Sequence, residues 1–285
     1  MRRLAVSVIA GVLVCSAVEA ATALTANTPA ALAGTIGYAT YRSKALDGTV
    51  HYAVYLPPGY GTSSLRYPVV YFLHGLPATQ TAYRSIQPVA QALEQAGRQA
   101  ILIGVQGARS DDTDPEWLDW GPGRNWETAT AKELVKVVDA RYRTIANRHG
   151  RVLIGISAGG YGATLIGLHN PGVFSVVESW SGYFHPTTPD GTKPLDLGSA
   201  GANARANAHT QLAKVRRLDY FAFYVGKGDS LFRSENERFA EELREAGISG
   251  VVFRVYPGGH GWSLWSAHAP AWLAAALAAA AQPTA

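Results

Sequence analysis

A serine flanked by glycines is the residue of this chain best suited to covalent chemistry. Ser157 lies in the Gly-Ile-Ser-Ala-Gly motif at 155–159, directly after the apolar run at 152–154 and before an apolar segment that can form a helix. A serine on a sharp turn between a strand and a helix has its hydroxyl pushed out above the sheet. Gly155 and Gly159 leave room for the two backbones to approach. The pattern is also typical of a glycine-rich turn with an exposed, unreactive serine. Whether Ser157 is a nucleophile therefore depends on whether the chain also supplies a base and an acid.

A nucleophilic serine needs a general base and an acid that orients it. When the serine lies on such a strand-to-helix turn, the acid comes later in the chain and the histidine base comes after the acid. His260 and His268 lie far enough beyond Ser157 for an acid to fall between. His260 is on a glycine-rich loop directly after the last apolar strand, and loops at the carboxyl ends of strands build the site of an open α/β sheet. His268 falls at the start of the terminal helix, a position typical of a surface residue. His260 is therefore the predicted base.

The predicted acid is Asp229, which follows the penultimate strand on a turn shaped by two glycines. An aspartate there could also cap the helix predicted at 230–246, and the two roles are compatible. Three other carboxylates were considered. Glu178 lies in an earlier strand, Asp219 at the start of a strand, and Glu235 inside the helix. Of these, Glu235 is the alternative acid.

Attack on a carbonyl also needs backbone N–H groups that stabilise the developing oxyanion. One is expected from Ala158, the residue after the serine. The second is expected from residues 74–76, which follow an early apolar run. Leu76 is the nearer choice because Pro77 has no N–H. Taken alone, His74 is interpreted as a structural histidine.

Alternating strand and helix patterns position these residues. Strands are predicted at 50–55, 68–73, 100–105, 151–155, 174–180, 219–225 and 251–256, and helices at 88–96, 127–142, 159–169, 230–246 and in a C-terminal segment through Trp272. Several strands are continuous apolar runs, as expected for strands buried on both faces. This alternation predicts an α/β fold with one domain, a mostly parallel sheet and helices on both faces. Residues 106–126 are predicted to form a long loop, and loops of this length in a compact domain are usually either functional or disordered. Residues 185–210 are predicted to form an inserted loop or lid.

Four residues near the predicted site are candidates for binding substrate: Asp119, Trp120, Tyr161 and Trp262. Trp120 belongs, with Trp117 and Trp126, to the long loop at 106–126, and such aromatics could form a platform for sugar or aryl groups. The same aromatics are also compatible with a core position, which is favoured for Trp126. Asp119 is compatible with a simple turn residue.

Composition excludes several classes of protein. The chain has 285 residues, 47% of them hydrophobic and 16% charged, which is typical of a globular core. The net charge is +4, and no Lys/Arg run interleaves with aromatics, so nucleic acid is not an expected partner. The single cysteine, Cys15, lies in the N-terminal segment, which excludes disulfides, thiolate nucleophiles and cysteine metal sites from the mature chain.

The N-terminus predicts secretion. A basic start, the apolar run at 4–14 and the small residues that follow are typical of a secretory signal peptide. Cleavage is compatible with sites after Ala20 or Ala33. The apolar run is too short for a permanent membrane span. We therefore expect a signal peptide and disordered leader at 1–33, a catalytic domain at 38–280 and an extracellular location.

Several motifs together resemble the esterase D-like putative esterase family, which includes S-formylglutathione hydrolases, feruloyl and acetyl esterases, and secreted mycolyltransferases. The motifs are YFLHG at 71–75, GISAGGYGA at 155–163, YPGGHGW at 256–262, DARYRT at 139–144 and Ser181-Gly182. The resemblance covers about residues 45–275. It implies an α/β-hydrolase fold with a triad at Ser157, Asp229 and His260. Two positions depart from the family pattern: Ala158 replaces a common methionine and Gly261 a common aspartate.

The expected function is that of a secreted serine carboxylesterase acting through an acyl-enzyme on a small-molecule or carbohydrate ester. In this mechanism His260 takes the proton of Ser157, and Asp229 holds the imidazole. No metal or cofactor is required. Two alternatives stay open: an acyltransferase of the mycolyltransferase type, which would share the triad, and a non-enzymatic hydrolase-like domain that binds cell wall or a partner protein.

Overall fold

Eight strands form one sheet in a computed structural model that describes residues 31–109, 116–187 and 193–285. The strands are β1 Thr35–Ser43, β2 Gly48–Leu56, β3 Val69–Leu73, β4 Ile101–Val105, β5 Arg151–Ile156, β6 Val176–Trp180, β7 Tyr220–Gly226 and β8 Val251–Tyr256. Their order in the sheet is β1-β2-β4-β3-β5-β6-β7-β8. β1 pairs antiparallel with β2, and β2 antiparallel with β4, whereas all the other pairs are parallel. The expected signal peptide lies outside the described residues.

Seven α-helical segments connect and cover the strands in the described part of the chain. They are α1 Gln87–Gln95, α2 Trp126–Thr128, α3 Val135–Arg141, α4 Ala158–His169, α5 Ala200–Ala206, α6 Arg233–Glu245 and α7 Trp262–Ala279. A π-helical turn, Ala129–Leu134, joins α2 to α3, so the helix predicted at 127–142 is continuous but locally widened. The 3₁₀ segment Ala208–Arg217 precedes β7. None of these helices combines the length and apolar character that a bilayer span requires.

The two faces of the sheet carry separate apolar cores, as the continuous apolar strands predict. Val69, Tyr71 and Leu73 of β3 pack into a cluster with α3, α4 and α6. Val70 and Phe72, which alternate with them, pack into a second cluster with α1 and α7. Each such side chain contributes about 1.5–3 kcal/mol when fully buried. The predicted mostly parallel sheet with helices on both faces is confirmed.

The first strand was missed by the sequence patterns. β1 begins at Thr35, before the boundary expected at residue 38, and it pairs with β2 along its whole length. As an edge strand it is only partly buried, and Tyr38 is 57% exposed, so its sequence lacks the apolar alternation that marks other strands. Near the other terminus, Thr284 pairs with Arg66, so ordered pairing extends beyond the expected boundary at 280.

The segment expected to be an inserted loop or lid at 185–210 contains regular structure in its second half. Ser199 caps α5 by accepting a hydrogen bond from the backbone N–H of Ala202 at 3.2 Å. The 3₁₀ segment Ala208–Arg217 follows almost at once. Short helices rich in Ala and Asn show little apolar periodicity, which explains why the pattern indicated a loop.

Candidate active site

The carboxyl ends of β3, β5, β7 and β8 meet at one edge of the sheet, where the predicted site residues collect. β5 ends at Ile156, and Ser157 then adopts φ 53° and ψ −122° before α4 begins at Ala158. A side chain on Gly155 would lie 2.1 Å from Gly159 O, and one on Gly159 would lie 2.0 Å from Leu73 O. Both glycines are therefore required sterically. A positive φ at serine is a strained conformation that the surrounding sheet must hold.

Ser157, His260 and Asp229 form a continuous hydrogen-bonded series. His260 Nε2 lies 2.9 Å from Ser157 Oγ, and His260 Nδ1 lies 2.8 Å from Asp229 Oδ2. Such a series lets the imidazole take the serine proton while the carboxylate fixes its tautomer and stabilises the imidazolium. Ser157 and His260 are partly exposed, whereas Asp229 is 2% exposed. The structure thus brings together all three residues that the sequence selected.

Asp229 is held by its second carboxylate oxygen. Oδ1 accepts hydrogen bonds from the backbone N–H groups of Leu231 and Phe232, both at 3.1 Å. α6 begins only at Arg233, three residues later than expected, so Asp229 caps the preceding turn rather than the helix itself. A side chain on Gly226 would lie 2.5 Å from Gly258 O, so the acid turn packs closely on the loop that carries His260.

Two aromatic side chains that the sequence patterns did not single out flank His260. The Phe232 and Trp265 rings lie 5.2 and 5.4 Å from the imidazole centroid, both near edge-on. Trp265 Nε1 donates to Ser181 Oγ at 3.0 Å, which fixes the indole. Helical spacing was the available signal for Trp265, because it lies three residues after Trp262 on the same helix.

The alternative base and acid occupy other environments. His268 stacks between Tyr256 and Trp272, with ring centroids 4.1 and 5.5 Å away. Glu235 accepts a hydrogen bond from His185 Nδ1 at 2.6 Å. Burial acts to raise the pKa of Glu235, but hydrogen bonds from His185 and His209 outweigh it and hold the pKa at about 2. Neither His268 nor Glu235 takes part in the series at Ser157.

Glu178 and Asp219, the two other carboxylates considered as acids, bind partners away from Ser157. Glu178 is fully buried in β6, where it accepts hydrogen bonds from Trp180 Nε1 at 2.9 Å and from the Tyr224 hydroxyl at 3.1 Å. Burial raises the pKa of Glu178 to about 8 despite these donors. Asp219 pairs with Arg148 at 2.8 Å, at the start of β7 and thus at the opposite sheet edge. Neither of these two carboxylates takes part in the hydrogen-bonded series at Ser157.

The turn after β3 lies directly against the serine. A side chain on Gly75 would lie 3.0 Å from Ser157 Cβ. Next to it, His74 Nδ1 lies 2.9 Å from Gly75 O, and His74 Nε2 accepts from the Gly107 backbone N–H at 3.1 Å. Burial lowers the pKa of His74 to about 4, so the ring is neutral and donates through Nδ1. His74 is thus structural, as interpreted, and it anchors the turn that leads to Leu76.

An apolar cluster lies beside the serine. Its buried members are Leu118, Ala158, Tyr161, Leu165, Tyr183, Ala206 and Phe232, and Leu76, Trp120 and Leu197 pack against it. A cavity of about 230 Å³ opens next to the cluster and is lined by Leu118, Asp119, Trp120, Glu127, Leu197, Ala202, Arg205 and Ala206. The cavity shares Leu118, Trp120, Leu197 and Ala206 with this cluster, to which Ala158, the residue after the serine, also belongs.

The four candidate substrate contacts are placed differently. Trp120 is half-buried and lines the cavity. Asp119 also lines it, but both of its carboxylate oxygens accept hydrogen bonds from Thr128, at 3.0 Å from the backbone N–H and 2.6 Å from the hydroxyl. Trp262 is 39% exposed and packs edge-on against Trp265 at 5.5 Å.

Tyr161 corrects the prediction made for it. Its side chain is 0% exposed, its ring stacks on Tyr183 at 5.1 Å, and its hydroxyl donates to Ala206 O at 2.8 Å. The side chain therefore offers no surface to a substrate and is instead a buried member of the apolar cluster. Trp117, at 2% exposed, is likewise a core residue and not part of a platform, and Trp126, at 0% exposed, takes the core position favoured for it from the sequence.

Comparison with known proteins identifies relatives across most of the chain. Residues 43–276 match the family described as "Putative esterase". An esterase of Mycobacterium tuberculosis is 29% identical over 253 residues, covering 78% of this chain and 55% of that protein. The chain therefore spans about half the length of this relative. The S-formylglutathione hydrolase of Rattus norvegicus is 27% identical over 243 residues, covering 76% of this chain and 84% of that protein.

Solved structures share the fold. A ferulic acid esterase superposes with a TM-score of 0.70 at 24% identity, covering 86% of this chain and 99% of the other. An S-formylglutathione hydrolase from Agrobacterium tumefaciens superposes with a TM-score of 0.71 at 22% identity, covering 87% and 97%. The predicted α/β-hydrolase fold is confirmed.

Proposed function

Since this chain belongs to the "Putative esterase" family, we propose that it is a secreted serine carboxylesterase in which Ser157, His260 and Asp229 form the catalytic triad. The observation that carries this proposal is the hydrogen-bonded series from Ser157 Oγ through both imidazole nitrogens to Asp229, with separations of 2.9 and 2.8 Å. The strained backbone at the serine supports the same role, because strain of this kind concentrates at functional sites.

The reaction proceeds in two halves. Ser157 Oγ attacks the ester carbonyl carbon while His260 Nε2 takes the hydroxyl proton. The tetrahedral intermediate collapses, the C–O bond to the alcohol breaks, and His260 returns its proton to the leaving alkoxide. Water then attacks the acyl-enzyme, with His260 taking one of its protons, and the carboxylic acid leaves as His260 reprotonates Ser157. Asp229 stabilises the imidazolium in both halves.

The oxyanion of each intermediate is assigned to the backbone N–H groups of Ala158 and Leu76. The first follows the nucleophile directly, at the start of α4. Support for the second comes from the contact between Gly75 and Ser157 and from the His74 anchor that fixes this turn. Removing one such donor typically costs about 10²–10³ in kcat.

The cavity beside the serine is proposed to hold one arm of the ester. Leu118, Trp120 and Leu197 give it an apolar wall, and Arg205 lies at its rim with a 63% exposed side chain. Its volume of about 230 Å³ is below the range of about 300–1,000 Å³ typical of sites for drug-sized ligands. The substrate class is therefore a small-molecule or carbohydrate ester with a compact acyl or aryl group. Trp262, exposed beyond His260, is proposed as a contact for the other arm.

Secretion is proposed from the N-terminal sequence alone: a basic start, a short apolar run and small residues. The proposed signal peptide and leader occupy residues 1–33. Intact mass of the protein recovered from culture medium identifies the processed N-terminus, and retention of the full-length chain inside the cell would contradict this part of the proposal.

The central test is labelling with a fluorophosphonate probe, which reacts with activated serines. The wild-type protein is expected to be labelled and to hydrolyse p-nitrophenyl acetate and butyrate, and Ser157→Ala is expected to lose both. Ser249→Ala, an exposed serine before β8, is the matched control and should retain both. Labelling that persists in Ser157→Ala would move the nucleophile elsewhere, and an unlabelled, inactive wild-type protein would favour the binding-domain alternative.

The same assay separates hydrolysis from acyl transfer. Trehalose added to the ester reaction should leave the release of free carboxylic acid unchanged if water is the acceptor. An acylated sugar that forms at the expense of free acid would instead support the acyltransferase alternative.

A further inference from the structure

A second group of polar side chains converges away from Ser157. His185 follows β6, His209 lies in the 3₁₀ segment Ala208–Arg217, and Glu235 lies in α6. Glu235 Oε1 is 2.6 Å from His185 Nδ1 and 3.3 Å from His209 Nε2. One ligand-type atom from each residue lies within 4.8 Å of the other two. Three elements that are separate in sequence thus direct two imidazole nitrogens and a carboxylate oxygen to one point.

A second layer of hydrogen bonds fixes this group. Glu242 Oε2 lies 2.5 Å from His209 Nδ1, so a carboxylate holds the far side of the ring while Nε2 faces the centre. The backbone N–H of Phe184 donates to Glu235 Oε1 at 2.8 Å. A histidine held through one nitrogen by a carboxylate and presenting the other inward is the usual outer-shell arrangement of metal-binding histidines.

We propose that His185, His209 and Glu235 form a binding site for a divalent ion of the zinc type. Imidazole nitrogen and carboxylate oxygen are donors that zinc prefers, and three protein ligands with one open position make up a common four-coordinate site. Bonds of about 2.0–2.2 Å place tetrahedral ligand atoms about 3.3–3.5 Å apart. The distance between Glu235 Oε1 and His209 Nε2 already lies at that value, and Glu235 and His185 need to separate by less than 1 Å.

The site has a path to solvent. The side chains of His209 and Glu235 are 7% and 13% exposed, whereas that of His185 is 26% exposed. A cavity of about 240 Å³ is lined by His185, Pro186, Asn203 and Asn207 among its neighbours. An ion can therefore reach the ligands from the His185 side, and a water or small anion can occupy the fourth position.

The ion would stabilise the fold around the substrate cavity and would not contact the ester. It would fasten the chain after β6 and the 3₁₀ segment to α6. Between these attachment points in sequence lie Leu197 and Ala206, which contact the apolar cluster beside Ser157. The ion thus holds the wall of the substrate cavity in place. His185 and His209 are widely spaced in sequence, so no short metal-binding motif marks the site.

Direct binding of Zn²⁺ to tag-free protein tests the proposal. After loading and gel filtration, atomic emission should find one Zn²⁺ per chain in the wild-type protein and in Ser157→Ala. Co²⁺ in place of Zn²⁺ should give the visible absorption of a four-coordinate centre. His185→Ala should lose stoichiometric binding, and Glu242→Gln should weaken binding about 10–100-fold. Zn²⁺ should raise the Tm of the wild-type protein and leave that of His185→Ala unchanged.

The matched control is His149→Ala. His149 also pairs with a carboxylate, Asp219, at 2.7 Å, but it lies on the surface with a 58% exposed side chain. This variant should bind one Zn²⁺ like the wild-type protein. Equal Zn²⁺ content in the wild-type protein and His185→Ala, or no Zn²⁺ retained by a folded wild-type protein, would overturn the proposal and leave a hydrogen-bonded His–Glu–His cluster. Circular dichroism of each variant verifies that it is folded.

Discussion

Gly75 and Ser157 are in such close contact that a methyl group on the glycine would lie 3.0 Å from the serine Cβ and 3.1 Å from Ile156 O. In Gly75→Ala, either the turn that carries Leu76 or the residues around Ser157 must give way by a few tenths of an ångström, which separates the Leu76 N–H from its place beside the nucleophile. We expect kcat/KM for p-nitrophenyl acetate to fall by about 10²–10³, the cost of one oxyanion donor. Gly61→Ala is the control, because nothing lies within 4 Å of the added methyl group. Equal activity of the two variants would remove Leu76 from the proposed mechanism.

The base is tested by comparing two histidines. His260→Ala should lower kcat by several orders of magnitude, about 10⁴–10⁶, because proton transfer and nucleophile activation are lost together. His268→Gln should change kcat less than several-fold, since the His268 ring lies within α7 and stacks on Tyr256 and Trp272 and not beside Ser157. Steady-state kinetics on the same ester give both values. A large loss in His268→Gln with activity retained in His260→Ala would reverse the assignment.

Replacing Asp229 by asparagine tests the role of its negative charge. Asp229→Asn keeps the size of the side chain but no longer fixes the imidazole tautomer, so we expect kcat to fall by about 10⁴. Glu235→Gln, the variant of the alternative acid, should retain kcat within several-fold at a temperature where it is folded. If instead Glu235→Gln were the inactive variant, the acid would have to be reassigned.

Glu178 should make the stability of the fold depend on pH. Its pKa is raised from 4.5 to about 8, chiefly by burial, so the folded state holds a proton that the unfolded state releases. Its contribution to stability is full below about pH 4.5 and is lost as the pH rises towards 8. Glu178→Gln abolishes this titration. Between pH 5 and pH 8.5 the free energy of unfolding should therefore fall by up to about 4 kcal/mol less in Glu178→Gln than in the wild-type protein.

Urea unfolding at the two pH values measures this difference. Glu237→Gln, an exposed glutamate on α6, serves as the control and should show no comparable pH-dependent gain. Parallel stability curves for wild-type protein and Glu178→Gln would mean that Glu178 is ionised in the fold.

The residues that carry the proposed chemistry could be predicted because their signals are local. Gly155 and Gly159 mark the tight turn at Ser157, and glycines before Asp229 and His260 mark two more turns after apolar strands. The order of serine, acid and histidine along the chain then leaves few combinations. Strand identity was similarly accessible wherever a strand is buried on both faces, as β3 is.

The surroundings of the site could not be predicted, because they depend on tertiary contacts. Tyr161 was expected to contact substrate beside the serine, but residues 158–168 of α4 are all buried, so its ring packs in the core. Phe232 and Trp265 contact His260 across loops with no fixed spacing to it. β1 is an exposed edge strand whose mixed sequence gives no strong periodic signal.

Apart from Glu127 of α2, the cavity wall comes from residues 118–120 and 197–206, which connect β4 to α2 and β6 to β7. None of the lining residues belongs to a strand. Surface connections tolerate insertion, deletion and replacement far better than the elements they join. In the proposed function, the reactive centre and the choice of ester would therefore be set by different parts of the chain. Transplanting the segment between β6 and β7 from a relative should redirect substrate preference while the nucleophile keeps its reactivity, and natural divergence can follow the same route.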